Sequence, residues 1–521
     1  MRRFAAVLWV CLAIVTQASP EQSQGLRVLS AAPNGVIEQA SDAHEIRVIF
    51  SEPMVPLGRV PSNPDVPWIT ITPAIKGTFR WSGTTILIFT PDAATPLPNA
   101  TRYTVRVGTG ATSAAGQQLG APFQFAFTTP TVKLTQTSWY RKNGKVDSPV
   151  VIMMRFNQPV RGADIVAHLK VQQDPHEWEA PELSDAARRR LTAADPTALQ
   201  KFNAKVAAVR QVASSTTAWP VKLATDWDKQ RYPAAPDLVV VETTGNPPAE
   251  SHLAVILDAR VPSASGNQTP GEAQQSVVDL ESAFMGPKLQ CLTECSPSGW
   301  NPMDFSTSVS AAALSRALTI RDITTAAREV AVAKSAKPKS PPTDATPSLN
   351  VEDAGFDRQP PATTWLLRLD PTLTAADGQT LGYPWMEVIQ NFREDAFVSF
   401  GDGHGVWETG GGSQLPFYAR NFQNVTQWLQ KLSPADLMPR ILALDDKNFK
   451  LTPEGAGTAR RLTVTPDAIQ SHGLDVAGVL TQGTGLAWVA VKPGTPIARA
   501  KPFSSDPPYH LLTYSRFLLA Q

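Results

Sequence analysis

The sequence predicts a mostly β protein, a row of antiparallel two-layer sandwiches with a small helical insertion. Three observations predict it. The apolar segments are short, rich in Val, Ile, Thr and aromatics, and separated by Gly, Pro and Asn turns. Pro is frequent, at 46 of 521 residues, which favours short strands over long helices. One strand-and-turn pattern also recurs three times. A two-sided strand array must cover two apolar faces, so each copy closes as an Ig-like sandwich.

Each copy opens on an apolar strand ending in Phe and a small or polar residue. The first is Ile46-Arg47-Val48-Ile49-Phe50-Ser51-Glu52-Pro53 and the second Val151 to Pro159. The third, Met303-Asp304-Phe305-Ser306, has no Pro. Each copy closes on a strand and then a Gly turn. Thr101 to Val107 precedes Gly116, Ser251 to Leu257 precedes Gly266, and Thr363 to Leu369 precedes Gly378. From Thr101, Ser251 and Thr363 to the respective Gly is 15 positions in every copy, a fixed spacing that marks a repeated unit. Val105 and Val107 alternate with Thr104 and Arg106, as in a strand with one face in a core.

Length predicts roughly three to five domains, since one core cannot serve 521 residues. The first 18 residues read as a secretory leader: Arg2 and Arg3, an apolar stretch from Phe4 to Val15, and Thr16-Gln17-Ala18 as the cleavage site. Cys11 lies in that stretch after Val10, where a lipoprotein signal wants a small residue. Residues 26–130 form the first sandwich. Residues 131–285 form the second, with a helical insertion at about 181–213. There Arg188 to Leu191 belongs to one helix, and Asp195-Pro196 starts another with Leu199, Phe202, Val206 and Val209 at helical spacing. Residues 286–393 form the third, with a flexible Pro-, Lys- and Ser-rich loop at about 333–362. Residues 394–521 form a fourth, mixed module: a strand at Phe397 to Phe400, a helix at Val425 to Leu432, a helical run at Pro434 to Leu444 and a strand at Trp488 to Val491.

Charge is balanced, 47 Lys plus Arg against 46 Asp plus Glu. Loss of Arg2 and Arg3 with the leader takes the formal net charge from +1 to −1. This gives no electrostatic ground for a nucleic-acid or anionic-membrane partner. No later segment has about 18 uninterrupted apolar residues, so no transmembrane segment is expected after leader cleavage.

Chemistry-bearing candidates are few. Cys291 and Cys295 are the two cysteines outside the leader. A local disulfide, free thiols and a metal are all open to them. An oxidising compartment favours the disulfide, while zinc would need two further ligands and no His cluster is near. Gly401-Asp402-Gly403-His404-Gly405 lacks the strand-before, helix-after context of a dinucleotide loop and reads as a turn. Asp445-Asp446 reads as a solvated turn, and Arg188-Arg189-Arg190 as a solvated helix face. Trp68, Trp81, Trp139 and Trp365 suit a carbohydrate platform or a sandwich core. The core is favoured, because large aromatics dominate such cores. No His-Glu-x-x-His, Gly-x-Ser-x-Gly or kinase-type loop occurs. The expectation is a non-enzymatic protein with no catalytic residue, cofactor or metal.

The order of these landmarks resembles the N-terminal part of the bacterial alpha-2-macroglobulins, exported endopeptidase inhibitors. The resemblance rests on Phe50-Ser51-Glu52-Pro53-Met54-Val55-Pro56-Leu57-Gly58, Gly77-Thr78-Phe79-Arg80-Trp81 and Leu87-Ile88-Phe89-Thr90-Pro91. It continues through Gly286-Pro287-Lys288-Leu289, the two cysteines and Phe305-Ser306. Leu415-Pro416-Phe417-Tyr418-Ala419-Arg420-Asn421 and Gly485-Leu486-Ala487-Trp488 complete it. It runs over about residues 26–500. The resemblance implies macroglobulin-type sandwiches, a periplasmic or secreted location, and proteases as partners of a full-length inhibitor. Full-length members are several times longer, with a bait segment and, in many, a Cys-x-Glu-Gln thioester. That tetrapeptide is absent here; Cys291-Leu292-Thr293-Glu294-Cys295 has no Gln after its Glu. The expectation is therefore a truncated or fragmentary member. The alternatives are a cell-surface Ig-like array for adhesion or wall binding, and a hydrolase with accessory Ig-like domains, which would need a catalytic domain not legible in this sequence.

Overall fold

Strand segments of alternating or wholly apolar character pair into eight small sheets among the described residues, mostly antiparallel. The computed structural model describes residues 25–520 apart from 294, 298, 326–327, 336–343, 401–411, 447–450, 481–484 and 498–513. The leader, the Gly401–Gly405 turn and His404 lie outside these residues.

The first sandwich shows how local pattern becomes packing. Ile46–Phe50 pairs with Val28–Ala32 and Ile86–Pro91, and Ile86–Pro91 with Gly77–Ser82. The facing sheet holds Gly35–Val36, Phe123–Thr128, Arg102–Val107 and Ile69–Thr72. Along Arg102–Val107, Tyr103, Val105 and Val107 are buried while Arg102 and Arg106 are exposed. This period of two puts every second side chain into the core. Phe50 packs edge-on to Trp68 there, ring centroids 5.9 Å apart.

The second and third sandwiches share a motif not visible in the spacing of their landmarks. Val150–Phe156 leads through helix α1 (Gly162–Ala167) to Leu169–Gln173. The insertion follows, α2 (Asp185–Ala194) and α3 (Ala198–Ala213). Met303–Val309 likewise leads through α4 (Ala311–Ala317) to Leu318–Asp322. Side-chain capping explains two helix starts. Ser184 and Ser310 accept from Ala187 N and Ala313 N, each at 3.1 Å. Asp195 accepts from Thr197 N at 2.9 Å, so α3 begins beyond Pro196, with Thr197 as its N-cap.

Two sequence expectations are corrected. Val425 to Leu432 is a strand, part of Asn424–Leu432, and not a helix. Val425, Leu429 and Leu432 sit at helical spacing, but both faces of this strand are covered. Val425 packs in the module's main core, and Leu432 packs with Trp488 in a second cluster beside α5 (Pro434–Asp446). An element apolar on both faces loses the period-two signal, and pairing with Gly485–Pro493 over eight residues decides the outcome. The fourth module is thus more strongly β than its reading as mixed. The 333–362 loop is also ordered over much of its length. Thr346–Leu349 pairs with Met303–Val309, and Ala354 and Phe356 are buried. Its Pro- and Lys-rich part, 336–343, lies outside the described residues.

The insertion leaves the chain between strands of the second sandwich, yet its apolar stripe packs on the third. Leu183, Ala187, Leu191, Ala198, Phe202 and Val206 share one buried cluster with Leu314, Tyr383, Trp385 and Met386. Phe202 meets Tyr383 edge-on, centroids 5.1 Å apart.

Candidate functional site

Two of the three repeated Gly turns, those at Gly266 and Gly378, lie at junctions with the preceding module. Gly116 and Gly378 adopt φ of 83° and 93°, the left-handed turn conformation suited to Gly. Gly266 is needed for another reason. A Cβ there would lie 2.2 Å from Ala100 O, because the second module's turn rests on the backbone of the first. Gln268 N donates to that same Ala100 O at 2.8 Å. In the third module the turn residue Gln379 clasps the entering chain. Its Oε1 accepts from Phe284 N at 2.8 Å and its Nε2 donates to Ser282 O at 2.9 Å. Between the third and fourth modules, Asp467 accepts from Arg393 and from Glu394 N, both at 2.9 Å.

Side chains add one clasp within the second module and two ties across its junction with the third. Arg141 is almost wholly buried and binds Glu281 at 2.6 Å, Pro247 O at 2.7 Å and Ser148 O at 3.0 Å. Ser184 donates to the buried Glu387 at 2.5 Å, so the residue that caps α2 also ties it to the third module. Lys205 on α3 donates to Thr380 O at 2.6 Å and Leu381 O at 2.9 Å. Burial pulls its ammonium down to about 8. The buried Tyr383 hydroxyl accepts from Gly286 N at 2.9 Å, and burial pushes it up to about 12. Sequence reasoning missed these groups. The only signal was Lys205 on the flank of the Phe202–Val206–Val209 stripe.

Cys291 and Cys295 form a disulfide, with Cα atoms 5.6 Å apart. Cys295 is buried; its N donates to Gln390 O and its O accepts from Phe392 N. The bridge therefore fixes a loop against the end of the Trp385–Gln390 strand, and no cluster of three or more His, Cys, Asp or Glu fit to hold a metal occurs among the described residues. Trp81 and Trp365 are buried, and Trp68 and Trp139 are half-buried against cores, so all four pack rather than form a platform. Asp445 and Asp446 end α5.

In the arginine run, Arg188 and Arg189 are exposed as a solvated face, while Arg190 has a different setting. α2 lies beside the outer face of the third module's sheet, which orders Val330–Ala331, Leu318–Asp322, Thr364–Leu369 and Trp385–Gln390. Between them opens a cleft of about 900 Å³. Arg190, Arg316, Arg321, Lys334 and Arg368 line it, against two carboxylates, Glu329 and Asp370. Glu329 binds Arg190 at 3.0 Å and Arg321 at 3.4 Å. Asp370 is held by Thr372 N and Oγ1 at 2.9 and 2.6 Å, which keeps its carboxyl below the usual range. Arg188 and Arg189 line an adjoining depression.

Residues 22–129 match a family model described as a bacterial Ig-like domain, which agrees with the first sandwich. No curated protein matches the sequence. Among solved structures, the native alpha-2-macroglobulin of Escherichia coli, spanning domains MG0-NIE-MG1, overlaps at 12% identity and a TM-score of 0.25. It covers 45% of this chain and 70% of that one. The surface layer protein SbsC, domains 1–6, overlaps at 11% identity and 0.16, covering 91% of this chain and 53% of that one. Salmonella alpha-2-macroglobulin reacted with methylamine overlaps at 9% and 0.16, covering 96% of this chain and 34% of that one. The chain thus spans about half of the surface layer structure and about a third of the Salmonella one. All three TM-scores lie below 0.5, so these likenesses carry no weight for activity or partner. The fold defines a class: mostly β, tandem Ig-like sandwiches with a helical insertion.

Proposed function

We propose that the chain is the exported, non-enzymatic frame of a macroglobulin-type endopeptidase inhibitor. In this reading it spaces and holds, and the reacting parts belong elsewhere in a complete inhibitor. The observation that carries it is the shared core between the insertion and the third module. Modules strung on free linkers would move independently, whereas a buried apolar seam makes neighbours one body. The order of macroglobulin-like landmarks and the bacterial Ig-like match over 22–129 support the family. The Arg2-Arg3 leader supports export to the periplasm or beyond.

The test has three readouts. Limited proteolysis of the full chain should release the second and third modules as one resistant piece. Separate release of the two would defeat the frame reading. The chain incubated with several endopeptidases, then denatured and run on gels, should show no denaturation-resistant adduct, because a thioester trap needs the absent Cys-x-Glu-Gln. A covalent adduct would contradict the assignment. Sequencing of exported protein should begin at Ser19.

A further inference from the structure

We infer that the cleft between α2 and the third module binds an extended acidic segment of a partner protein, with apolar side chains between its carboxylates. This goes beyond the frame reading and does not depend on macroglobulin kinship. The first ground is charge. Five cations against two carboxylates give the cleft a net +3, on a chain whose formal net charge is only +1. Arg188 and Arg189 on the adjoining surface extend the same sign.

The second ground is that the carboxylates are already committed and some of the cations are not. Glu329 is shared by Arg190 and Arg321, and Asp370 is turned to Thr372. Lys334 donates to Ser315, with Oγ at 3.0 Å, and lies over the Phe356 ring at 5.7 Å. Arg316 and Arg368 are exposed and make no hydrogen bond or salt bridge to any described residue through their guanidinium groups. Two guanidinium forks without a hydrogen-bonded or ion-paired carboxylate, Arg368 being only within coulombic reach of Asp370, are donors that carboxylates pair with bidentately.

The third ground is the floor. Arg321 stands in register with Leu366, and Arg368 with Met386, so cation and apolar side chain alternate across neighbouring strands. Leu366 and Met386 are themselves buried beneath these cations, and the exposed apolar surface of the cleft is that of Ala193, Ala194 and Ala331, which a simple polyanion would leave wet. An extended peptide alternates its side chains every residue, and carboxylate–apolar alternation would use both. The edge strand Val330–Ala331 borders the same surface.

The test uses the full chain and fluorescence anisotropy with a labelled 12-residue peptide of alternating Glu and Leu. Binding should saturate and weaken as salt is raised. The R316E/R368E pair should lower affinity by about tenfold or more, as loss of complementary charge at an interface does. Both side chains are exposed, and an unchanged melting curve would show the variant folded. Charge reversal at the distant, exposed Lys133 should leave affinity unchanged. A Gln–Leu peptide should bind at least about tenfold more weakly, and a Glu–Ser peptide measurably more weakly. Equal binding of Glu–Ser and Glu–Leu peptides, or tighter binding of a sulfated polysaccharide, would overturn the proposal in favour of a general anion surface. Indifference of the folded R316E/R368E variant would overturn the site.

Discussion

The first and second sandwiches meet through backbone, while the second and third meet through buried side chains. At the first junction Gly266 rests against Asn99 and Ala100, and the main bonds are Gln268 N to Ala100 O and Gln158 Nε2 to Pro130 O at 3.1 Å. At the second, two inserted helices bury an apolar stripe on the neighbouring module, with Lys205 and Ser184 bonded across the seam. The difference teaches what couples sandwiches. Backbone contact fixes orientation with little apolar area, so the two modules keep separate cores. The second sandwich also keeps a core separate from the third's; what couples those two modules is the pair of inserted helices, whose apolar stripe lies inside the third module's core.

The sharpest way to break this contrast is at Phe202, which is fully packed against Tyr383. Phe202→Ala should destabilise by about 3–5 kcal/mol and, in urea unfolding, separate the second and third modules into two transitions. A single unshifted transition would show that the insertion does not couple them. Next in size is Glu281→Ala, which leaves Arg141 buried beside an absent partner. About 3 kcal/mol should be lost in the same measurement, and Arg141→Met should recover part of it in the double variant.

Gly266→Ala probes the other junction. A Cβ forced against Ala100 O should cost roughly 1–3 kcal/mol by displacing the turn. The effect should show as faster proteolysis between residues 128 and 133, with the unfolding of each module little changed. Serine at both Cys291 and Cys295 should lower stability by about 2 kcal/mol or less, since the closed loop is short, and calorimetry would place that loss in the third module. A pH-dependent effect concerns Lys205. Its pKa falls from 10.5 in the unfolded chain to about 8 in the folded one, so between those values the unfolded state binds more protons. Stability contributed by this group therefore rises with pH from about 8 to 10.5. Lys205→Met should flatten that slope, and an unchanged slope would place the titrating group elsewhere.

Much of the architecture was readable in residues close together in the chain. Arg102–Val107 declares its inward face by alternation, and the 15-residue interval located three turns before any contact was known. The insertion's helices were legible from Leu199, Phe202, Val206 and Val209, and the disulfide from two cysteines four residues apart. Reading failed where an element is covered on both sides, as at Asn424–Leu432, and where composition hid a paired strand, as at Thr346–Leu349. The candidate cleft was not readable: Arg190, Arg316 and Arg368 are separated by more than fifty residues at each step.

The sequence by itself determined the sandwich class, the module repeat and the existence of the inserted helices. These depend on side-chain period and turn chemistry, which act over a few residues. Only the tertiary structure decided which module the helices would cover, why Gly266 must be Gly, and that Arg190 would face a basic sheet across a cleft. An apolar stripe specifies that it must be buried but not against what. That choice falls to whichever distant surface fits it, and the charged residues flanking both surfaces are brought together as a consequence.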